Sequence, residues 1–513
     1  MSARIDLSPG ALTLADLRTL EDPACAVAIA EEGRTRMQRG SKILGEKLAA
    51  GKLVYSVNTG FGPLSGTRIA DDKLGELQLR LILSNSTGVG QPLTERIVRR
   101  IMVLKLAALL PGTTGVRYEL AEAILALLNA GIRPVIPEKG SVGASGDLAP
   151  LAHLGAGLIG IGEVFHNGAR KPARDALKAA GLQPFVLGPK EGAAIVNGTQ
   201  VSTALAVEGL FRTEECFAAA LVAGAMSVEA SRGSAGALDA RIHEWRGQPG
   251  QQAVAAALRG LIEGSAIQAA GSPRIQDPYC LRCQPQVMGA ALDLIRNAAE
   301  TMRRELNAVS DNPLICLETG DVLFGGNFHA QPIGLAADSL ALAIAETGSI
   351  AERRIAFLVD THMSGLPAFL VEEGGLNSGF MLAQVTAAAL VSENKAMAHP
   401  GSIDSIPTGA NYEDYVSMAT YAARRTGDMA ENLRHIIAIE LLAACQGLEF
   451  RRPTRSSDIL EGVFGTVRKQ VAKWDQDRFF KPDLDAAASL IGTASLIPDP
   501  ARAVLPSMNG SAG

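Results

Sequence analysis

The reading of this chain turns on the stretch Gly140–Leu154, GSVGASGDLAPLAHL. Ser145 sits in Gly143-Ala144-Ser145-Gly146-Asp147. A nucleophile elbow of the G-x-S-x-G kind needs glycine at 147, and Asp147 stands there, so a serine hydrolase is disfavoured. Ala144-Ser145-Gly146 has another chemistry open to it. The Gly146 nitrogen can attack the Ala144 carbonyl and close a five-membered ring. Loss of water, including the Ser145 hydroxyl, then leaves an exocyclic methylidene. Glycine removes the Cβ that would hinder the nitrogen's approach. Serine supplies the departing hydroxyl, and alanine is small enough for a tight turn. The product, 4-methylidene-imidazol-5-one (MIO), is a strong electrophile built from the chain. At ordinary residue usage the tripeptide occurs by chance in roughly one chain of this length in five, so its surroundings must decide.

Just downstream, Gly155-Ala-Gly157-Leu-Ile-Gly160 matches G-x-G-x-x-G. A dinucleotide loop would follow a strand and have an acidic residue about 20 positions on. Leu148–His153 is no strand and Glu163 is too close, so close helix packing is the better reading. Around this segment, residues 51–66 and 132–163 are dense in Gly, Pro and Ser, as active-site loops are. Elsewhere the periodicity is helical. Thr94 is placed to cap a helix whose Ile97, Ile101, Leu104 and Ala108 share one face, with Pro111-Gly112 as its stop. Residues 119–130 form a second helix, closed by Gly131. Ala-rich stretches at 201–230, 286–308, 331–358, 379–398 and 417–447 predict long, closely packed helices. The expected architecture is mainly α: a long-helix bundle with a smaller loop-rich α+β N-terminal part. The expected division is 1–200, 201–504 and a flexible tail 505–513.

Composition removes whole classes. Lys+Arg 48 against Asp+Glu 53 gives −5, which argues against a nucleic-acid or anionic-membrane partner. Aromatics make up only 4% of the chain, too few for a base-stacking surface. Asp6 and Asp16 interrupt any apolar leader near the start, and no stretch offers about 18 uncharged apolar residues, so a soluble cytoplasmic protein is expected. Cys280-Leu-Arg-Cys283 lacks a second ligand pair for zinc and reads as loop. The seven histidines include no H-E-x-x-H and no i, i+4 pair, so no metal is expected.

The Gly140–Leu154 block resembles the signature of the histidine and aromatic amino acid ammonia-lyases. So do VYSVNTGFG (Val54–Gly62), KEGAAIVNGTQ (Lys190–Gln200), QDPYCLRCQPQVMGA (Gln276–Ala290), GGNFHAQP (Gly325–Pro332) and EDYVSMA (Glu413–Ala419). The blocks keep the family's order over about residues 50–450. LPAFLVEEGGLNSGFM and SENKAMAHPGSIDSIPT look most like the histidine enzymes. The resemblance implies the ammonia-lyase (L-aspartase/fumarase-like) fold and an MIO formed autocatalytically from Ala144, Ser145 and Gly146 near helix N-termini. It further implies a homotetramer whose active sites draw on three chains.

Residue by residue, the resemblance makes Tyr55 the base for the β-hydrogen and Tyr279 a second active-site tyrosine near the leaving amine. Arg282 becomes the carboxylate clamp, for which its planar fork suits it. Asn197 becomes a donor to the ring oxygen as charge develops. Gln276 and Phe328 match pocket positions. The ring-binding end departs from the histidine pattern. Ser84-Asn85 stands where those enzymes carry Ser-His, and Asn411-Tyr412-Glu413-Asp414-Tyr415 where they read N-Q-E-D-H. Glu413 keeps the histidine-type carboxylate, and with Asn85 it could grip an imidazole, a phenol hydroxyl or another polar ring. The implied activity is elimination of ammonia from L-histidine to give trans-urocanate, a step of histidine catabolism. A lyase or 2,3-aminomutase for tyrosine, phenylalanine or another polar-ring amino acid is the alternative. A catalytically silent helical scaffold is the remote one. A fumarase-type lyase would need an S-S-x-M-P-x-K-x-N loop, which is absent.

Overall fold

A computed structural model describes residues 3–508. Helices dominate, as expected. Thr94 accepts from the Ile97 N–H and opens the helix Glu95–Leu109. Tyr118–Asn129 ends with Gly131 at φ 70°, whose N–H reaches the Leu128 carbonyl. The Ala-rich stretches become Gln200–Ala230, Gln284–Glu305, Gln331–Val359, Met381–Met397 and Ala419–Glu449. Gln200–Ala230 is buried on nearly every side, so its apolar residues go all the way round. Among the described residues Gln331–Val359 alone is long and apolar enough to cross a membrane, and it is mostly buried.

Strands are short. Arg4–Leu7 pairs in parallel with Ala26–Ile29, and Val89–Pro92 pairs antiparallel with Pro137–Lys139. Arg133–Pro134, Glu163–His166 and Ala169–Pro172 form an antiparallel three-stranded sheet. Leu314–Ile315 pairs with Val322–Leu323.

Two compact units divide the chain. One holds the residues up to Glu208, then Glu300–Asp338 and Pro400–Arg424. The other holds Gly209–Ala299, Ser339–His399 and the residues from Arg425 onward. The first unit is thus completed by two later segments, which a contiguous break at 200 does not describe. The second unit has its own polar anchor: buried Arg354 pairs with buried Glu440, which also accepts from Ser227 Oγ at 2.9 Å.

Three local expectations need correction or comment. Cys280–Cys283 is not loop: Tyr279–Arg282 forms one helical turn immediately before Gln284–Glu305. Both cysteines are free. Of the expected flexible tail 505–513, residues 509–513 lie outside the described residues. Leu505 and Ser507 are buried, and the Ser507 N–H donates to Glu214 at 3.0 Å, so the chain is anchored to at least that point. Of the G-x-G-x-x-G glycines, Gly155 lies at a helix contact, as expected, where a Cβ would press on Ile82. A Cβ on Gly157 would instead press on Pro134 of a strand.

Candidate active site

The Ala-Ser-Gly segment is a bend leading into the helix Leu148–Leu158. Gly143 and Gly146 take positive φ of 63° and 88°. A side chain at Gly146 would collide with the Gly198 backbone, so only glycine fits there. Asp147 fixes the segment from behind. Its carboxylate is fully buried and accepts five hydrogen bonds: Ser141 Oγ at 2.8 Å, Val201 N at 3.0 Å, Ser202 N at 2.8 Å, Ser202 Oγ at 2.9 Å and Thr420 Oγ1 at 2.7 Å. The starts of Leu148–Leu158, Gln200–Ala230 and Ala419–Glu449 therefore meet at one carboxylate, and their positive ends gather beside the tripeptide. Ser417 Oγ donates to the Gly143 carbonyl at 2.8 Å, and the Met418 N–H to the Val142 carbonyl at 2.9 Å.

Ser145 opens into a cavity of about 580 Å³, ample for an amino acid. Of the residues singled out from sequence, Tyr55, Asn85, Ser145, Asn197, Phe328, Tyr412 and Glu413 line it. Tyr55 Oη accepts from the Gly62 N–H at 3.0 Å, so that contact leaves the phenolic proton free. Glu413 is carried by a tight turn in which Thr408 and Glu413 pair through their backbones, with Ala410 and Asn411 at positive φ. One carboxylate oxygen accepts from Thr408 Oγ1 at 2.7 Å, and the other accepts from Ser145 Oγ. Asn85 ends the helix Leu74–Asn85, and its Nδ2 donates back to the Leu81 carbonyl at 2.7 Å. Asn197 Nδ2 donates to Asp311 Oδ1 and the Asn312 carbonyl, both at 3.2 Å.

Two buried lysines stand behind Asn197. Lys190 pairs with Asp311 at 2.8 Å; burial pushes its pKa down against the pull of that aspartate. Lys105 donates to the Ala194 carbonyl at 3.0 Å and the Asn197 carbonyl at 2.7 Å. Desolvation lowers its pKa to about 7, with Asp311 and Asp147 acting the other way.

Gln276, Tyr279 and Arg282 do not line this cavity. They belong to the second compact unit. Tyr279 is 71% exposed, Arg282 stacks on its ring at 4.8 Å, and Arg282 Nε is buried without a partner. Tyr415 also lies outside the cavity, stacked with His329 at 6.2 Å between ring centroids. Sequence reasoning missed Phe61, Leu81, Asn312 and Phe324 in the lining. Phe61 stood inside a quoted motif. Leu81, Asn312 and Phe324 had no local signal. Lys105 did, as a lone charge in the apolar run Met102–Leu109.

No group of three or more His, Cys, Asp or Glu among the described residues is arranged to hold a metal ion.

The model of the aromatic amino acid lyase family matches residues 12–469. The histidine ammonia-lyase of Desulfotalea psychrophila is 52% identical over 99% of this chain and 100% of its own. Among solved structures, histidine ammonia-lyase from Trypanosoma cruzi is 40% identical with a TM-score of 0.91, covering 98% of this chain and 96% of that one. Tyrosine aminomutase from Streptomyces globisporus is 33% identical with a TM-score of 0.90, covering 96% and 97%. This chain is therefore a carbon–nitrogen lyase and belongs to the aromatic amino acid lyase family.

Proposed function

We propose that this protein eliminates ammonia from L-histidine to give trans-urocanate, using an MIO formed from Ala144, Ser145 and Gly146. The observation that carries the reading is the placing of Ser145 Oγ on Glu413 inside a cavity that also holds Tyr55, Asn85 and Asn197. The bend, the positive φ of Gly146 and its contact with Gly198 suit a tripeptide that must close on itself. Once formed, the ring supplies an electrophile that turns a poor leaving group, the amine, into a better one.

The chain's own residues do the rest. Tyr55, acting as its phenolate, takes the β-hydrogen as a proton. Asn197 stands at the cavity floor, where a turn of its amide brings a donor to the ring oxygen. Glu413 and Asn85 hold the imidazole. With one amide hydrogen committed to Leu81, Asn85 keeps its second Nδ2 hydrogen to donate to the acceptor nitrogen of a neutral imidazole, and Glu413 offers its carboxylate to the ring N–H. Arg282 clamps the substrate carboxylate, Tyr279 stands near the leaving amine, and Gln276 and Phe328 complete the pocket.

The exposure of Tyr279 and the unpartnered Arg282 Nε support a supply of Gln276, Tyr279 and Arg282 to the sites of neighbouring copies in a homotetramer. Exposed Leu335 and Leu342 on one long helix, and Leu382 and Val385 on another, are apolar faces suited to such partners. In this reading the 1–200 part carries the tripeptide, the helices of 201–504 build the assembly, and the enzyme is soluble and cytoplasmic.

Asn85 and Tyr412 favour a second reading, a lyase or 2,3-aminomutase for tyrosine, phenylalanine or another polar-ring amino acid. Incubation with single amino acids, followed by ultraviolet absorbance of the conjugated acrylate, tests both. Histidine is expected to turn over fastest; strong turnover of tyrosine with none of histidine would replace the first reading by the second. Intact mass is expected to show a loss of two waters per chain. An unaltered mass would make the silent scaffold the leading reading.

A further inference from the structure

Lys105 is a buried ionisable amine to which the mechanism above gives no task. It lies on the helix Glu95–Leu109 among buried Val103, Leu104, Leu106 and Ala107, and is itself 1% exposed. A buried ammonium is costly to desolvate and persists only where its surroundings compensate. Two carbonyls could be satisfied by a neutral donor, so the use of a charge invites an electrostatic explanation.

Both carbonyls belong to the turn that ends the helix Glu191–Val196, and one of them is half of the Asn197–Gly198 peptide group. The other end of that peptide is the Gly198 N–H. Gly146 and Gly198 form an isolated parallel bridge, and the Asp147 N–H donates to the Gly198 carbonyl at 2.7 Å. In a parallel pairing of this register the Gly198 N–H faces the Ser145 carbonyl. That carbonyl supplies the oxygen of the imidazolone, where negative charge gathers when the electrophile is engaged.

We propose that Lys105 is a positioning residue for the elimination: its ammonium, acting through the Asn197–Gly198 peptide, makes the Gly198 N–H a stronger donor toward the Ser145 carbonyl oxygen that it faces. Hydrogen bonds in series polarise one another, and a charged donor polarises more than a neutral one. The donor is backbone and already in place, so no reorganisation is needed as charge develops. The proposal rests on the MIO reading of Ala144-Ser145-Gly146.

The test uses the full chain with Lys105→Gln, which keeps a neutral N–H donor, and Lys105→Arg, which keeps the charge. Folding is followed by circular dichroism, ring formation by intact mass, polarisation by the ring's ultraviolet band, and turnover by kcat and KM. Lys105→Gln is expected to fold and to lose two waters. Its kcat should fall on the order of 30-fold with KM within about threefold, and its band should move to shorter wavelength. Lys105→Arg should recover kcat to within about fivefold, and the band with it. A folded, ring-bearing Lys105→Gln with native kcat and native band would overturn the proposal. So would failure of both variants to fold or to form the ring, which would give Lys105 a purely structural or maturation role. An unaltered mass in the native chain would instead defeat the MIO reading itself.

Discussion

The floor of the cavity and its rim are built on opposite plans. The floor rests on Asp147, Lys105, Lys190 and Asp311, all buried, all ionisable and all tied to backbone or to one another. The rim is Asn85 at the end of a helix, Phe324 in a loop, and Tyr412 on a turn with three positive-φ residues. Tyr412 is 59% exposed and Phe324 60%. Glu413 joins the two plans, for it is carried by the rim turn yet reaches Ser145. Buried, multiply bonded charges hold a geometry within tight limits, whereas exposed loop residues can change without unfolding the rest. Chemistry that must stay constant belongs on the floor, and recognition that must vary belongs on the rim.

Substitutions should break this contrast in a graded way. Ser145→Ala removes the departing hydroxyl. It is expected to abolish turnover by orders of magnitude, leave the circular dichroism spectrum native and spare the chain the two-water loss seen by intact mass. Full activity in that variant would refute the proposed chemistry. Asp147→Ala strands the backbone donors of Val201 and Ser202 and the hydroxyls of Ser141 and Thr420. It should lower stability by about 3–5 kcal/mol in denaturant titration. A loss under about 1 kcal/mol would show that the floor is less tightly determined than its bonding suggests.

Rim substitutions should spare stability and shift selectivity. Glu413→Gln is expected to lower kcat/KM for histidine on the order of 100-fold while changing stability by less than about 1 kcal/mol. Equal losses for histidine, tyrosine and phenylalanine would place Glu413 with the floor instead. Asn85→His should improve KM for histidine up to about tenfold with stability within about 0.5 kcal/mol. An unchanged KM would remove Asn85 from the ring end.

The smallest effect concerns pH. His153 Nε2 accepts from the Gly88 N–H at 3.1 Å, and burial lowers the His153 pKa. A base with a depressed folded pKa contributes stability that is fully present above the ordinary histidine value of about 6.5 and is lost as pH falls below it. His153→Gln should therefore flatten the acid side of the stability curve. An equally steep acid limb in that variant would assign the slope elsewhere.

Much of the fold was legible because helix signals are local. Thr94, Gly131 and the Ala-rich periodicity each act within a few residues of where they stand. The one-turn helix at Tyr279–Arg282 was hidden because Pro278 and Pro285 frame it, and prolines mark loops as readily as helix starts. The site was legible where a motif held the residue, as for Tyr55, Ser145, Asn197 and Glu413. It was illegible where the residue matters only through space. Phe324 and Asn312 reach the cavity from loops whose own sequence is undistinguished, and Asp311 counts because Lys190 and Asn197 come to it.

The Ser145–Glu413 contact spans 268 residues and the Asp147–Thr420 contact 273. Contacts so remote along the chain close late, after the entropy of very long loops has been overcome. A partly synthesised or misfolded chain therefore has the tripeptide but not its surroundings. On the reading proposed above, the reactive group is a timestamp of completed folding: a covalent change that only a correctly assembled interior can write, and that keeps an aggressive electrophile out of every immature copy.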